Sequence, residues 1–126
     1  MNDPAELRDF AKRYTAAWCS QDPASVAAFY STEGSLRVND EVPAVGRAAI
    51  TEVARGFMTT FPDLVILLDD LVIRGERVEY HWTLVGTHGG RKVRVSGFEV
   101  WEIGADGLIA ESRGSFDSAE YRRQLS

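Results

Sequence analysis

The sequence has little of the chemistry that holds metals or closes disulfides. Among 126 residues it has one cysteine, Cys19, and two histidines, His81 and His88. One cysteine cannot form a disulfide within the chain, and it excludes a zinc site built from several thiolates. Cys19 lies in a predicted helix without a basic neighbour in sequence, which argues against an activated thiolate. With no cluster of metal ligands, we expect neither a metal nor an organic cofactor.

Long apolar runs and an excess of positive charge are also missing. No segment approaches the roughly 20 apolar residues of a membrane span, and residues 1–8 are polar and acidic, unlike a secretory signal. We therefore expect a cytoplasmic protein. Basic side chains number 14 against 19 acidic ones, a net charge of −5. This balance disfavours nucleic acid and anionic membranes as partners.

What is present is ordinary for a globular domain. Hydrophobic residues make up 44% and charged residues 26% of the chain, and the length predicts one domain over residues 1–126. Aromatic residues reach 10%, which indicates either an apolar pocket or interface, or an aromatic core.

The first half of the chain is predicted to be mainly helical. Asp3 followed by Pro4 starts the first helix, and Asp22-Pro23 repeats that signal for a short second helix ending at Gly34. A short strand, 35–38, and a loop, 39–45, precede a third helix that begins at Gly46 and ends before Pro62. Apolar spacings of three and four define the face of the first helix: Leu7, Phe10, Ala11, Tyr14, Ala17 and Trp18.

The second half is predicted to be strands joined by glycine turns, over residues 64–74, 77–87, 92–103 and 108–116, with a closing helix at 117–125. Helices followed by an antiparallel meander indicate an α+β fold with the helices on one face of the sheet. Such long strands curl, and Gly86 and Gly97 permit bends. We predict a cone-shaped antiparallel sheet whose concave face is closed by the three N-terminal helices, leaving a cavity.

Six segments along nearly the whole chain carry a family resemblance. They are Tyr14–Trp18, Gly46–Ile50, Phe61–Asp63, Trp82–His88, Asp106–Ile109 and Tyr121–Leu125. Together they resemble the nuclear transport factor 2-like superfamily, and within it the branch of SnoaL-like polyketide cyclases and ketosteroid isomerases. The resemblance implies a cystatin-like α+β barrel and a homodimer. Members include cyclases, isomerases, epoxide hydrolases, dehydratases and proteins that only bind, so the fold does not fix the chemistry.

Alternation along residues 92–103 singles out one acid. It places Val93, Val95, Gly97, Glu99 and Trp101 on the inner face, provided that no bulge shifts the register. A carboxyl there loses hydration, which raises its pKa and suits it to move a proton near neutral pH. The resemblance implies that Tyr14 joins Glu99 in an oxyanion hole. The alternatives are that Glu99 pairs with Arg113 or faces solvent.

Two further residues are candidates for acid/base chemistry. The resemblance to the cyclases implies such a role for Asp117, which is equally an N-cap for the last helix. The second is His88, because the unperturbed pKa of a histidine side chain, about 6.5, suits proton transfer; the alternative is that His88 is a solvated residue on the rim. The chain departs from the family pattern at two places. Gly114 stands where cyclases carry an acid, and Val38 where isomerases carry their base, with Asp40 two residues further on.

The remaining strand faces define the predicted pocket and the outer surface. In the last strand the inner, apolar set is Leu108, Ala110, Ser112, Gly114 and Phe116, and the outer set is Ile109, Glu111, Arg113, Ser115 and Asp117. In the strand 77–87, Tyr80, Trp82 and Leu84 face inward, and Glu79, His81 and Thr83 face outward. The predicted pocket lining is Trp18, Tyr30, Phe57, Phe61, Trp82, Leu84, Trp101, Ser112 and Phe116.

Two functions are consistent with these features. The first is a cofactor-free cyclase, isomerase or hydrolase acting on an apolar carbonyl compound, with Tyr14 polarising the oxygen and Glu99, His88 or Asp117 moving the proton. The second is a non-catalytic module that binds a small apolar molecule or forms a homodimer through the outer face of the sheet. Two or more ionisable groups with perturbed pKa in the cavity would favour the enzyme.

Overall fold

In the computed structural model, which describes residues 3–126, the chain folds into helices packed on one curled sheet. The helices are α1 (Pro4–Trp18), α2 (Pro23–Ala27), α3 (Arg47–Thr60) and α4 (Ser118–Leu125). The strands are β1 (Tyr30–Val38), β2 (Ala44–Val45), β3 (Val65–Arg74), β4 (Arg77–His88), β5 (Arg91–Ile103) and β6 (Ile109–Phe116). The predicted single domain includes residues 1 and 2, which lie outside the described residues. Within residues 3–126, no helix is long and apolar enough to cross a bilayer.

Side-chain caps begin the first and last helices. The Asp3 carboxylate accepts a hydrogen bond of 3.0 Å from the backbone N–H of Ala5, and Pro4 takes the first helical position. Asp117 accepts 3.0 Å from the backbone N–H of Glu120. The buried face of α1 is the predicted one, from Leu7 to Trp18.

The sheet is mixed and open, in the order β2-β1-β6-β5-β4-β3. β1 runs parallel to β6, while the other neighbouring pairs are antiparallel. The predicted antiparallel meander is confirmed for β3 to β6. β1, in contrast, is parallel to β6, because the chain crosses from one edge of the sheet to the other between β2 and β3. The predicted curled α+β architecture is confirmed.

β1 is longer than predicted. It begins at Tyr30 and not at residue 35, and Gly34, predicted to end the second helix, lies inside the strand. β1 approaches β6 so closely there that a Cβ on Gly34 would lie 2.8 Å from the carbonyl oxygen of Ile109. Gly34 was predicted to end a helix. Its lack of a side chain instead allows the backbones of β1 and β6 to come into contact.

The inner faces of β4 and β5 follow the predicted alternation, and their pairing is regular from Arg77↔Glu102 to His88↔Arg91. One row on the concave face joins four strands through the pairs Tyr80↔Glu99, Glu99↔Gly114 and Gly114↔Val38. This row forms the base of the candidate site.

Two residues differ from their predicted exposure. A register shift between Glu102 and Ile103 accommodates an extra residue in β6, so Ile109 turns inward and is fully buried, whereas the prediction placed it outside. Thr83 faces outward as predicted but is buried, because its hydroxyl lies 2.5 Å from the Asp69 carboxylate and 2.7 Å from the Ser96 hydroxyl.

Candidate functional site

A cavity of about 50 Å³ lies between the concave face of the sheet and helices α1 and α3. Its wall is almost wholly apolar, and Glu99 supplies the only carboxyl among the described residues that line it. The lining residues are Trp18, Leu36, Val38, Val53, Phe57, Leu64, Ile66, Tyr80, Trp82, Leu84, Glu99, Gly114 and Phe116.

Three donors converge on one oxygen of Glu99. Its Oε1 accepts hydrogen bonds from the Tyr14 hydroxyl at 2.9 Å, the Trp101 indole N–H at 2.9 Å and the Ser112 hydroxyl at 2.8 Å. The donors come from α1, β5 and β6, so three elements fix the carboxyl. The predicted alternatives, a pair with Arg113 or exposure to solvent, are both wrong: Glu99 is 7% exposed, and Arg113 lies 3.4 Å from Glu111.

The other oxygen, Oε2, accepts no hydrogen bond from the described residues. The fully enclosed polar side-chain atoms without a partner belong to other residues, so Oε2 is not fully enclosed. Since Glu99 lines the cavity and Oε1 is occupied by donors from the protein, we infer that Oε2 is the atom that faces the cavity. With Oε1 occupied by three donors, a proton on the carboxyl belongs on Oε2. The cavity therefore meets either a carboxylic acid donor or a basic carboxylate oxygen.

The hydroxyl of Tyr14 is itself supported by a second phenol. The Tyr30 hydroxyl lies 2.9 Å from that of Tyr14. Because Tyr14 gives its hydrogen to Glu99, Tyr30 donates to Tyr14. Hydrogen bonds aligned in one direction polarise one another, so this relay strengthens the contact on Oε1. Tyr14 and Tyr30 are fully buried and lie outside the cavity lining.

Burial and hydrogen bonding act in opposite directions on Glu99. Burial has the larger effect and raises the pKa of its carboxyl, while the hydrogen bonds from Trp101, Ser112 and Tyr14 lower it; the net pKa lies above its ordinary value. Burial raises the pKa of Tyr14 and Tyr30 well above that of a free phenol, and the nearby Glu99 charge raises both further. Both phenols therefore stay protonated and act as donors.

Tyr80 is the second ionisable group in the lining. Its ring stacks on Trp101 with 4.9 Å between centroids. Its hydroxyl lies 2.5 Å from that of Thr15, which donates to the carbonyl of Ala11, so Tyr80 donates to Thr15. Burial raises the pKa of Tyr80. Glu99 is therefore the more acidic of the two ionisable groups in the described lining, and the one that can exchange a proton.

The other predicted acid/base residues lie elsewhere. His88 Nδ1 is 3.1 Å from the carbonyl oxygen of Thr60, outside the lining. Asp117 caps α4 and is exposed. Asp40 is also exposed, with its carboxylate 3.8 Å from Arg37, whereas Val38 lines the cavity.

The predicted lining is found in part. Trp18, Phe57, Trp82, Leu84 and Phe116 line the cavity. Tyr30, Phe61, Trp101 and Ser112 do not, because they are buried behind its wall. The prediction missed Leu36, Val38, Val53, Leu64 and Ile66. Tyr80 and Gly114 were predicted to face inward but were not included in the predicted lining. The alternation along β1 could have predicted that Leu36 and Val38 face inward. Val53 lies four residues before Phe57, so both could have been predicted to share one face of α3. In the described residues, no group of acidic, histidine and cysteine side chains is placed to hold a metal ion.

Comparisons with solved structures show the same architecture in other proteins. TsrD from Streptomyces laurentii is 25% identical over 98% of this chain and 97% of its own, with a TM-score of 0.85. A protein from Jannaschia sp. CCS1 described as a SnoaL-like polyketide cyclase is 15% identical over 100% of this chain and 96% of its own, with a TM-score of 0.84.

A third similar structure is from Catenulispora acidiphila. It has a ketosteroid isomerase-like fold, was solved in complex with trimethylamine, and is 12% identical over 93% of this chain and 92% of its own, with a TM-score of 0.83. No protein with a curated description matches this sequence.

The family model of the SnoaL-like polyketide cyclases matches residues 8–125, almost the full length of the chain. The matched region includes every residue that contacts the Glu99 carboxyl and every residue that lines the cavity. This chain therefore belongs to the SnoaL-like polyketide cyclase family.

Proposed function

We propose that the protein catalyses acid/base chemistry on a small apolar carbonyl compound, with Glu99 as the group that moves the proton. One observation carries the proposal: Glu99 is fixed by three donors on Oε1, while Oε2 faces an apolar cavity. A carboxyl held in this way has one oxygen free to react, and its raised pKa suits proton exchange near neutral pH.

A single carboxyl is sufficient for enolisation. Ionised Oε2 takes a proton from the carbon next to the carbonyl, and the C–H electron pair forms the C=C bond of the enolate. The C=O pair moves onto the oxygen, which then receives that proton from Oε2. Carbon has lost a proton, oxygen has gained it and Glu99 is regenerated. The donors on Oε1 hold the carboxylate in place throughout.

A second candidate is a binding module for the same class of molecule. It is favoured by the presence of one proton-exchanging group, and not two, among the described residues of the lining. In that case neutral Glu99 donates from Oε2 to the ligand's oxygen and no bond to carbon breaks.

Exchange of the methyl hydrogens of acetophenone in D₂O, followed by NMR, tests the proposal. The wild type is expected to accelerate the exchange, and Glu99→Gln to abolish it. Glutamine keeps an oxygen for the three donors and presents an amide N–H to the cavity, so this variant is expected to bind acetophenone still. The control is Glu102→Gln, on the same strand but outside the lining. Equal exchange rates for wild type and Glu99→Gln would overturn the proposal; binding without exchange by the wild type would favour the module.

We also propose that two copies associate through the convex face of the sheet. The helices cover the concave face, and on the convex face Val65, Leu67 and Phe98 are 42%, 40% and 37% exposed. These three side chains supply apolar surface that a second copy would cover.

A further inference from the structure

Glycines inside the strands are explained by close packing at three of four positions. A Cβ on Gly34 would lie 2.8 Å from a backbone oxygen, one on Gly86 would lie 2.8 Å from the Phe61 side chain, and one on Gly97 would collide with the Ser115 carbonyl oxygen. Side chains cannot be accommodated at such distances. Gly114 is different: a Cβ there would lie 3.4 Å from the Arg37 carbonyl oxygen and 3.7 Å from Glu99 Cγ. Both are ordinary contact distances.

The backbone does not require glycine at position 114 either. Gly114 lies in β6 and is not one of the residues with positive φ, so a side chain meets neither strain nor collision. A glycine within a strand often marks a place where another molecule approaches the backbone closely. Gly114 lines the cavity and pairs directly with Glu99. The missing side chain therefore leaves room beside the reactive carboxyl.

The two strands that flank Glu99, β4 and β6, place residues of very different size beside it. On one side is Tyr80, whose ring is stacked on Trp101 and lines the cavity. On the other side are Gly114 and then Val38, whose side chain is apolar and also lines the cavity. The free space next to the carboxyl is thus a slot above Gly114 with an apolar end.

We propose that Gly114 is a specificity-determining residue, whose missing side chain admits an apolar branch or ring on the carbonyl carbon of the substrate. This inference rests on the proposed function, because it takes the carbonyl oxygen to lie at Glu99 Oε2. The substrate class is then ketones that carry a branched apolar group, in place of a methyl, on the side of the carbonyl that faces Gly114. A methyl at position 114 fills the slot and selects against that group.

Two ketones of different width test the slot. Both ketones carry one phenyl group; on the other side of the carbonyl, acetophenone has a methyl and pivalophenone, tert-butyl phenyl ketone, has a tert-butyl group. Pivalophenone has no hydrogen on the carbon next to its carbonyl, so it is used as a probe of binding and not of exchange. Trp18 and Trp82 line the cavity, so quenching of tryptophan fluorescence gives the dissociation constant of each ketone. One methylene in an apolar pocket changes selectivity by roughly 10- to 200-fold. Gly114→Ala is expected to weaken pivalophenone binding at least about tenfold relative to acetophenone.

Gly56→Ala is the matched control, since a Cβ on this exposed residue of α3 has no heavy atom within 4 Å. It is expected to leave the ratio of the two dissociation constants unchanged. Val38→Leu fills the same slot from the neighbouring strand and is expected to act like Gly114→Ala, so the test does not depend on one variant folding.

The outcomes separate the two proposals. If Gly114→Ala and Val38→Leu both change the ratio less than about twofold, the slot is overturned whatever the behaviour of Glu99. If the ratio changes as expected while Glu99→Gln still exchanges the methyl hydrogens of acetophenone at the wild-type rate, the slot is supported and the role of Glu99 in proton transfer is overturned.

Discussion

The Tyr14 hydroxyl donates a 2.9 Å hydrogen bond to Glu99 Oε1 and so connects the middle of α1 to the middle of β5. The contact uses the one hydrogen of Tyr14 to hold the acid, and Tyr14 does not reach the cavity. The resemblance implied that both groups bind the substrate oxygen side by side. In this structure they act in series: Tyr14 positions the carboxyl, and the carboxyl meets the cavity.

Loss of the Tyr14 hydroxyl should affect both stability and the pH dependence of exchange. Tyr14→Phe removes a donor from Oε1 and leaves the Tyr30 hydroxyl without its acceptor. We expect unfolding in urea to show a loss of about 1–2 kcal/mol. The midpoint of the pH–rate profile for acetophenone exchange should move to higher pH, because this hydrogen bond lowers the pKa of Glu99. Tyr121→Phe is the control, since no described residue hydrogen-bonds to its hydroxyl. An unchanged midpoint would count against Tyr14 as a positioning residue.

Glu99 should make the fold less stable as the pH rises. Its pKa in the folded protein lies above the ordinary value of 4.5, so its stabilising contribution is full below pH 4.5 and is lost as the pH rises through the folded pKa. Glu99→Gln has no such dependence. The free energy of unfolding of the wild type minus that of Glu99→Gln should therefore fall as the pH rises from 4.5 to the folded-state pKa of Glu99. The expected slope in this range is about 1.4 kcal/mol per pH unit. Urea unfolding at a series of pH values measures it. A difference independent of pH would contradict the raised pKa.

The position of Glu99 could be predicted because β4 and β5 alternate without interruption. Twelve consecutive pairs join the two strands, so counting from Lys92 and Arg94, which face water, places Glu99 inside. The donors on Oε1 could be predicted only in part. Ser112 and Trp101 were expected on the inner face, but a sequence does not show that their side chains meet on one oxygen.

The sequence-based predictions were wrong where the fold depends on contacts between residues far apart in the chain. The bulge in β6 reverses the face of Ile109, and residues 109–111, where the bulge lies, include no glycine or proline that would mark it. The parallel pairing of β1 with β6 joins residues 76 to 79 positions apart, such as Tyr30 and Ile109. The local spacing of apolar residues gives no information on that pairing, so Gly34 was predicted to end a helix.

Association of two copies should depend on the convex face. Phe98→Arg places a charge in that apolar surface and is expected to convert a dimer into a monomer. Val42→Arg is the control, because Val42 is 90% exposed and lies on the loop between β1 and β2. Sedimentation velocity over a concentration series measures both. A wild type that is monomeric throughout, or a Phe98→Arg variant that stays dimeric, would contradict the proposed interface.

The position of α4 should depend on one amide. The Gln124 side chain accepts from the backbone N–H of Arg94 at 2.8 Å and donates to its carbonyl at 3.1 Å. It thereby pairs with β5 beyond Gly97, where the recorded pairing with β6 ends. Gln124→Ala should speed hydrogen exchange at the backbone amides of α4 and cost about 1 kcal/mol. Arg122→Ala in the same helix should leave the β5 contact intact. Equal exchange rates in the two variants would argue that the amide does not hold the helix.

The state of the Glu99 carboxyl can be observed directly by ¹³C NMR of protein labelled at the Cδ of glutamate, with the signal assigned by its absence in Glu99→Gln. A titration without and with acetophenone gives the pKa of this one group. If Glu99 presents a mobile proton to the cavity, its midpoint lies above 4.5 and moves when acetophenone binds. A midpoint at or below 4.5 that acetophenone does not change would contradict the account.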